Sequence, residues 1–194
     1  MKPALDGSIT VGDEQLSASL PTLTQLAERD GRLYQAAKAI IESGEQHAPI
    51  LFVYPANPDK PAQIVDLSPA MSSENGKAAI SKLIRIISAQ PEVDTVCFVS
   101  EGWAAQLAKP NQANQAGEQS QQFAYSGPPP SQRDDRQEVL TVAYTVQDGT
   151  RAFTMHRIKG EGATRTLERG NLVIEGQDGM GMDSRFFGAR PTAH

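Results

Sequence analysis

An acidic and an aromatic side chain lie close together at one point of the sequence, where they could take part in catalysis. Glu101 follows an apolar run, and one glycine separates it from Trp103, the only tryptophan. Burial beside an indole raises the pKa of a carboxyl group, so Glu101 could act as a general base. The simpler alternative is that Trp103 caps the core while Glu101 forms an ion pair with an arginine. The sequence leaves both interpretations open.

A second charged cluster, Arg-Asp-Asp-Arg-Gln-Glu at residues 133–138, leads into another apolar segment. Arg136 could hold an anionic ligand through two parallel hydrogen bonds, and Glu138 would share its face if a strand begins there. Equally, Arg136 could pair with Glu101 and close the base of the loop between them. Trp103, Arg136 and Glu138 are therefore the candidates for ligand binding.

Two other residues belong to types that often act in catalysis. His156 lies among threonines in a predicted strand, where a lone histidine is either a proton-transfer group or a half-exposed sheet position. Cys97 lies between Val96 and Phe98, a setting typical of a buried thiol that behaves as a small hydrophobic group. The catalytic candidates are thus Glu101 and His156, and Cys97 is not one of them.

The short motifs that bind nucleotides, zinc or redox partners, or that carry a nucleophilic serine, are missing from the sequence. The three histidines, His47, His156 and His194, are too far apart to share the ligand spacing of a metal site. We therefore expect neither a metal nor a cofactor.

The composition of the chain argues against several classes of protein. The 194 residues carry a net charge of −5, which argues against a general nucleic-acid binder. A single cysteine excludes an internal disulfide framework, and no run of about 18 apolar residues could span a membrane. With no signal peptide at the start, the expected location is the cytoplasm. The oligomeric state is left open.

Apolar spacing predicts two helices. The first runs from Leu23 to Ile41 and ends at Gly44, and Asp30-Gly31 interrupts its pattern in a way typical of a bend or a break. The second is capped by Ser72 or Ser73 and carries one apolar stripe, formed by Ala79, Ile80, Leu83, Ile84 and Ile87.

Apolar runs bounded by turn residues predict strands. They lie at 50–54, 63–67, 95–99, 138–147, 150–159 and 171–175. Asp148-Gly149 suits a two-residue type I′ turn, which would set Tyr144 opposite Phe153 and Val142 opposite Met155. The apolar face of this hairpin would then point to the core, leaving His156 on the other face; its members are Leu140, Val142, Tyr144, Phe153 and Met155.

Together these elements predict one α+β domain at 21–176, built as a mainly antiparallel sheet of about five strands with two helices packed on one face. Residues 1–20 form an N-terminal tail, or at most a short edge strand, and 177–194 form a C-terminal tail. Residues 108–135 are rich in Gln and Pro and too poor in aliphatic side chains to order themselves, which predicts a long loop.

Short motifs around this loop occur in a recognisable order. They are Ser-Glu-Gly-Trp at 100–103, Pro-Ser at 130–131, Arg-Gln-Glu-Val at 136–139 and Met-Asp-Ser-Arg-Phe at 182–186. The order resembles a family of uncharacterised bacterial and phage-associated proteins, in which the pattern reads roughly Ser-Glu-Ala-Trp, then Pro-Ser-x-x-x-x-Arg-x-Glu-Val. This chain departs from it by Gly102 in place of alanine and by the Gln-rich expansion of the loop.

The resemblance implies one folded unit that joins the strand at 95–103 to the hairpin at 138–159. It implies no mechanism, because the family has no established activity. The leading hypothesis is a non-enzymatic accessory or interaction protein of a phage or mobile element, which contacts another protein through the 108–135 loop or the C-terminal tail. The alternative is a small hydrolase-like or ligand-binding enzyme with its site around Glu101, Arg136 and His156 gathered in one cleft.

Overall fold

The computed structural model describes residues 9–10, 20–104, 132, 134 and 136–174. The predicted tail at 177–194, most of the tail at 1–20 and all of the 108–135 loop except 132 and 134 lie outside these residues. The helices are α1 (Leu20–Glu42), α2 (Ser68–Met71) and α3 (Glu74–Ser88). The strands are β1 (Ile9–Thr10), β2 (Ile50–Pro55), β3 (Gln63–Asp66), β4 (Val93–Ala104), β5 (Gln137–Val146), β6 (Arg151–Lys159), β7 (Thr166–Glu168) and β8 (Leu172–Ile174).

The described strands form one sheet in the order β1-β8-β6-β5-β4-β2-β3, and β7 pairs with β6 beside β8. Every pairing is antiparallel except the parallel contact between β1 and β8. The predicted α+β class with a mainly antiparallel sheet is therefore confirmed. The sheet has eight described strands rather than about five. Six of them correspond to the apolar runs in the sequence, and the other two, β1 and β7, are too short to produce a periodic signal.

The two long helices pack on opposite faces of the sheet, not on one face as expected. Cys97 and Val99 of β4 belong to the core under α1, whereas Val96 and Phe98 belong to the core under α3. Successive residues of a strand point to opposite faces, so an unbroken apolar run needs cover on both sides. The unbroken apolar run at 95–99 therefore indicates a strand that is covered on both faces. The prediction of two helices on one face did not take this into account.

The hairpin of β5 and β6 closes with three loop residues instead of two. Gly149 adopts a positive φ of 88°, its N–H donates to the Val146 carbonyl, and the Val146 N–H donates to the Thr150 carbonyl. This geometry is that of a turn followed by a left-handed glycine, the second common way to close a hairpin. The predicted type I′ turn is wrong, although the reversal lies where it was expected.

One extra loop residue reverses the face of every β6 side chain. Tyr144 lies opposite Ala152, and Val142 opposite Thr154. Phe153 and Met155 consequently share the face on the α3 side, where Met155 is exposed, and His156 is fully buried under α1. The expected core face is right for β5 and wrong for β6.

Helix boundaries follow local chemistry. The Ser73 hydroxyl accepts a hydrogen bond from the Gly76 N–H, so Ser73 is the N-cap of α3. Gly44 ends α1 with a positive φ of 87° while its N–H donates to the Ile41 carbonyl. Helix α1 runs through Asp30 without a break, and hydroxyl groups of the sheet bind the Asp30 carboxylate.

Candidate functional site

A buried arginine joins the two acidic candidates at one end of the sheet. One terminal nitrogen of Arg165 lies 2.8 Å from Glu101 Oε2 and 3.1 Å from Glu138 Oε1, and the other donates to the Glu45 carbonyl over 2.7 Å. The second Glu101 oxygen accepts the backbone N–H of His47. We call Glu101, Glu138 and Arg165 the Arg165 cluster. Through these contacts the cluster holds four segments of the chain together: β4, β5, the segment at Arg165 and the segment at 45–47.

Trp103 and Arg136 form an exposed stacked pair next to this cluster. The Arg136 guanidinium lies 5.0 Å from the centre of the Trp103 ring, within the range of a cation–π contact. Trp103 is 46% exposed, so it does not cap the core. It lies directly opposite Glu138 in the pairing of β4 with β5, which connects the pair to the Arg165 cluster.

His156 lies in the core, apart from these groups. Its Nδ1 accepts the Gly170 N–H over 3.1 Å, so the proton of the neutral ring is on Nε2. The ring packs against Tyr34 with 5.0 Å between centroids. Burial first, and then the charge of Arg169, lower the pKa of His156 to about 4. At neutral pH the side chain is therefore an uncharged structural group.

Gly170 makes this arrangement possible because its backbone passes very close to β6. A Cβ atom at that position would come within 2.0 Å of the Met155 carbonyl oxygen. Only glycine therefore lets the loop between β7 and β8 approach closely enough to donate to His156.

A second polar network fixes α1 to the sheet. Asp30 is buried, and its Oδ1 accepts hydrogen bonds from the Tyr144 hydroxyl (3.2 Å) and the Thr154 hydroxyl (2.9 Å). Burial raises the pKa of Asp30, although both hydroxyl groups and Arg169 act against that rise. Burial also raises the pKa of Tyr144 and of Cys97 well above their ordinary values. The thiol of Cys97 is thus kept neutral, as expected for a core residue.

The residues of the proposed enzyme site lie on or beside neighbouring strands and are held by different partners. Glu101 and His156 both face the α1 side of the sheet, but each is paired with Leu140, which lies between them on β5. Their backbones are separated by two strand spacings, about 10 Å. Because Glu101 is paired with Arg165, an enzyme site that used His156 would need a different acidic residue.

Sequence reasoning missed Asp30 and Arg165. Asp30 occupies a position of the buried α1 stripe that runs from Leu26 through Tyr34 to Ala37, so a charged residue on an apolar stripe was a usable signal. Arg165 lies in an irregular segment after the 3₁₀ helix at Gly162–Thr164, where neither periodicity nor spacing indicates its contacts.

The described residues contain no group of three or more His, Cys, Asp or Glu side chains arranged to hold a metal ion. No helix in that part of the chain combines the length and apolar character needed to cross a membrane. Comparison with known proteins adds no relative. No family model matches the chain, and no match is found among curated proteins or solved structures.

Proposed function

We propose that this chain is a non-enzymatic accessory protein that binds another protein through the exposed pair Trp103 and Arg136. The observation that carries the proposal is the half-exposed Trp103 ring with the Arg136 guanidinium over it. Tryptophan and arginine are the residue types most enriched among the few side chains that supply most of the energy of protein interfaces. An exposed tryptophan at the end of a rigid strand fits that role.

The surroundings of Trp103 and Arg136 also support a role in protein binding. Trp103 lies near the end of β4, where it pairs with Glu138 of β5, and the preceding part of β4 up to Val99 is bordered by both β2 and β5. The neighbouring Glu138 is fixed by Arg165, itself only 6% exposed in its side chain. A pre-organised anchor loses little side-chain entropy on binding, so more of its contact energy appears as affinity.

The segment between β4 and β5 is a second proposed contact. Strand β4 ends at Ala104 and β5 begins at Gln137, so the described residues on either side of this segment adjoin the Trp103 pair. A partner that covers Trp103 would therefore meet this segment as well. The C-terminal tail remains an alternative contact. An origin in a phage or mobile element rests on the family resemblance alone, and a cytoplasmic location is part of the same proposal.

The test compares partner capture by three forms of the full chain. Wild type, Trp103→Ala and Met155→Ala serve as baits, and captured proteins are quantified by mass spectrometry. Met155 is 43% exposed but lies on the opposite face, so its replacement is a matched loss of exposed apolar surface. Loss of an anchoring tryptophan costs about 2 kcal/mol or more, which is roughly a 30-fold loss of affinity.

We expect a specific partner to be captured by wild type and Met155→Ala and lost from Trp103→Ala. Purified partner and bait should then show the same ranking in a direct binding titration. Equal capture by all three baits, or equal loss with both variants, would overturn the assignment of the contact to Trp103.

A further inference from the structure

Four of the large apolar side chains that the structure exposes lie toward one margin of the sheet, around β3. Strand β3 is the last in the described sheet order, and among the described strands it pairs only with β2, so no described strand covers its outer edge. All four of its residues are exposed, including Ile64 (66%) and Val65. An exposed apolar pair on an open edge is the arrangement by which strands pair with another chain.

Helix α3 presents two more exposed apolar side chains, Leu83 and Ile86. At about 100° per residue, these lie roughly 60° and 120° to one side of Ile80, whereas Ser81 lies about 100° to the other side. Ser81 is buried and Ile80 packs on the sheet, so the Ser81 flank is covered by the protein and the flank of Leu83 and Ile86 is not.

The topology decides which way the open flank points. Strands β3 and β4 are parallel to each other, because both are antiparallel to β2, and α3 connects them across one face. Such crossovers are right-handed in nearly all proteins. In a right-handed crossover the Ser81 flank faces β4 and β5, while Leu83 and Ile86 face the β3 margin. We call Ile64, Val65, Leu83 and Ile86 the β3 margin.

We propose that the β3 margin binds a second copy of this chain, with the segments at 60–66 of the two copies pairing antiparallel about a two-fold axis at Gln63. The charges at the two ends of this segment fit this occupant, since Lys60 lies ahead of β3 and Asp66 is the last residue of β3. In this antiparallel arrangement Lys60 of each copy lies beside Asp66 of the other copy. The two-fold axis therefore produces two contacts between opposite charges. A surface that is complementary to itself is the requirement of a two-fold interface.

The helix contribution matters because β3 has only four residues. Very short edge strands are one of the ways in which proteins prevent unwanted pairing. Strand pairing alone would therefore be weak here. The flanks of two α3 helices, each carrying Leu83 and Ile86, add apolar contact on one side of the joined sheet.

The first experiment is sedimentation equilibrium of the full chain at concentrations up to about 100 µM, where a micromolar Kd gives mostly dimer. We expect wild type and Met155→Lys to dimerise, and Ile86→Lys and Ile64→Lys to remain monomeric. Both margin residues are exposed, and unchanged far-UV circular dichroism verifies the fold of each variant. A monomeric wild type, or dissociation by Met155→Lys as well, would overturn the proposal.

A second experiment tests the geometry. The only native cysteine, Cys97, is buried, so an introduced thiol is the one that can react. Gln63→Cys should form a disulfide-linked dimer on mild oxidation, because equivalent residues near the axis approach each other. Met155→Cys is the matched control and should stay monomeric. Equal cross-linking of both variants would show random collision and contradict the two-fold arrangement.

Discussion

The guanidinium of Arg165 is the cation shared by the carboxylates of Glu101 and Glu138. Its side chain is 6% exposed, and those of Glu101 and Glu138 are 12% and 26% exposed. Charges in such positions are tolerated only when each has a partner, because the loss of hydration must be offset. Removing the arginine leaves two partly buried carboxylates without the cation that they share.

We therefore expect Arg165→Met to lower the free energy of unfolding by about 3–5 kcal/mol. The matched control is Lys159→Met, which breaks the ion pair of Lys159 with Glu168, whose side chains are 48% and 50% exposed. An exposed pair contributes about 1 kcal/mol at most. Urea denaturation of both variants measures the difference, and equal losses would show that the Arg165 cluster does not support the fold.

His156 gives the stability of the protein a defined pH dependence. Its pKa is about 4 in the folded protein and 6.5 in a flexible chain. The unfolded state thus takes up a proton first as the pH falls. Stability is lost between about pH 6.5 and pH 4, by roughly 3 kcal/mol from this residue. Asp30, whose pKa is raised, acts in the opposite sense, so the net change in the wild type is smaller.

The variant His156→Asn isolates this contribution. Its side-chain oxygen can still accept the Gly170 N–H, but it has no charge to gain. We expect wild type to lose more stability than His156→Asn when denaturation midpoints at pH 7 and pH 4.5 are compared. Parallel pH profiles for the two proteins would contradict the buried, neutral state of His156.

These residues also show where a single sequence stops being informative. The pairing of Glu101 with an arginine follows from its buried, acidic position, and the structure confirms that an arginine is there. That the arginine is Arg165 rather than Arg136 depends on a chain segment more than 60 positions away. No local pattern encodes such a contact, so the candidate residues were recognisable while their partners were not.

At the scale of elements, the loop of the β5–β6 hairpin decides which side chains enter the core. Both possible closures use Gly149 with a positive φ, so Asp148-Gly149 alone does not distinguish them. The two closures differ by one residue in register and therefore invert the faces of β6. In the closure adopted, Ala152 and Thr154 fit beneath α1, and Thr154 completes the hydrogen bonding of Asp30.

Gly149→Ala tests this loop without a steric complication. No atom lies within 4 Å of a Cβ at position 149, so the only penalty is the left-handed backbone, about 1–2 kcal/mol. The matched control is Gly102→Ala, which also meets no atom within 4 Å but has no positive φ. Thermal denaturation should show a lower midpoint for Gly149→Ala alone, and equal midpoints would exclude a strained φ at this position.

The elements themselves were largely predictable, because long periodic segments dominate the fold. Strands β2 to β6 and helices α1 and α3 lie within a few residues of their expected positions. The placement of the helices on two faces was not predicted, although the unbroken apolar run of β4 contains the reason. Strands β1 and β7 arise from tertiary pairing and have no local signature.

At the scale of the whole molecule, β4 belongs to both hydrophobic cores. Its residues alternate between the core under α1, which contains Leu26, and the core under α3, which contains Ile84. A strand buried on both faces cannot leave one core intact while the other unfolds, since its backbone position is common to both. The two layers are therefore coupled through the sheet, and the described part of the chain should unfold as one cooperative unit.

Because the two cores are coupled, a cavity-forming substitution in either core should destabilise the whole described fold. Leu26→Ala and Ile84→Ala each remove a buried side chain, and each should cost about 2–5 kcal/mol in one shared transition. Trp103 lies near the end of β4, so its fluorescence reports on the shared strand, while circular dichroism reports on both helices. The two signals should change together in urea for each variant. If Ile84→Ala released α3 in a separate early transition while the fluorescence stayed native, the α3 layer would be independent, and β4 would not transmit stability between the two faces.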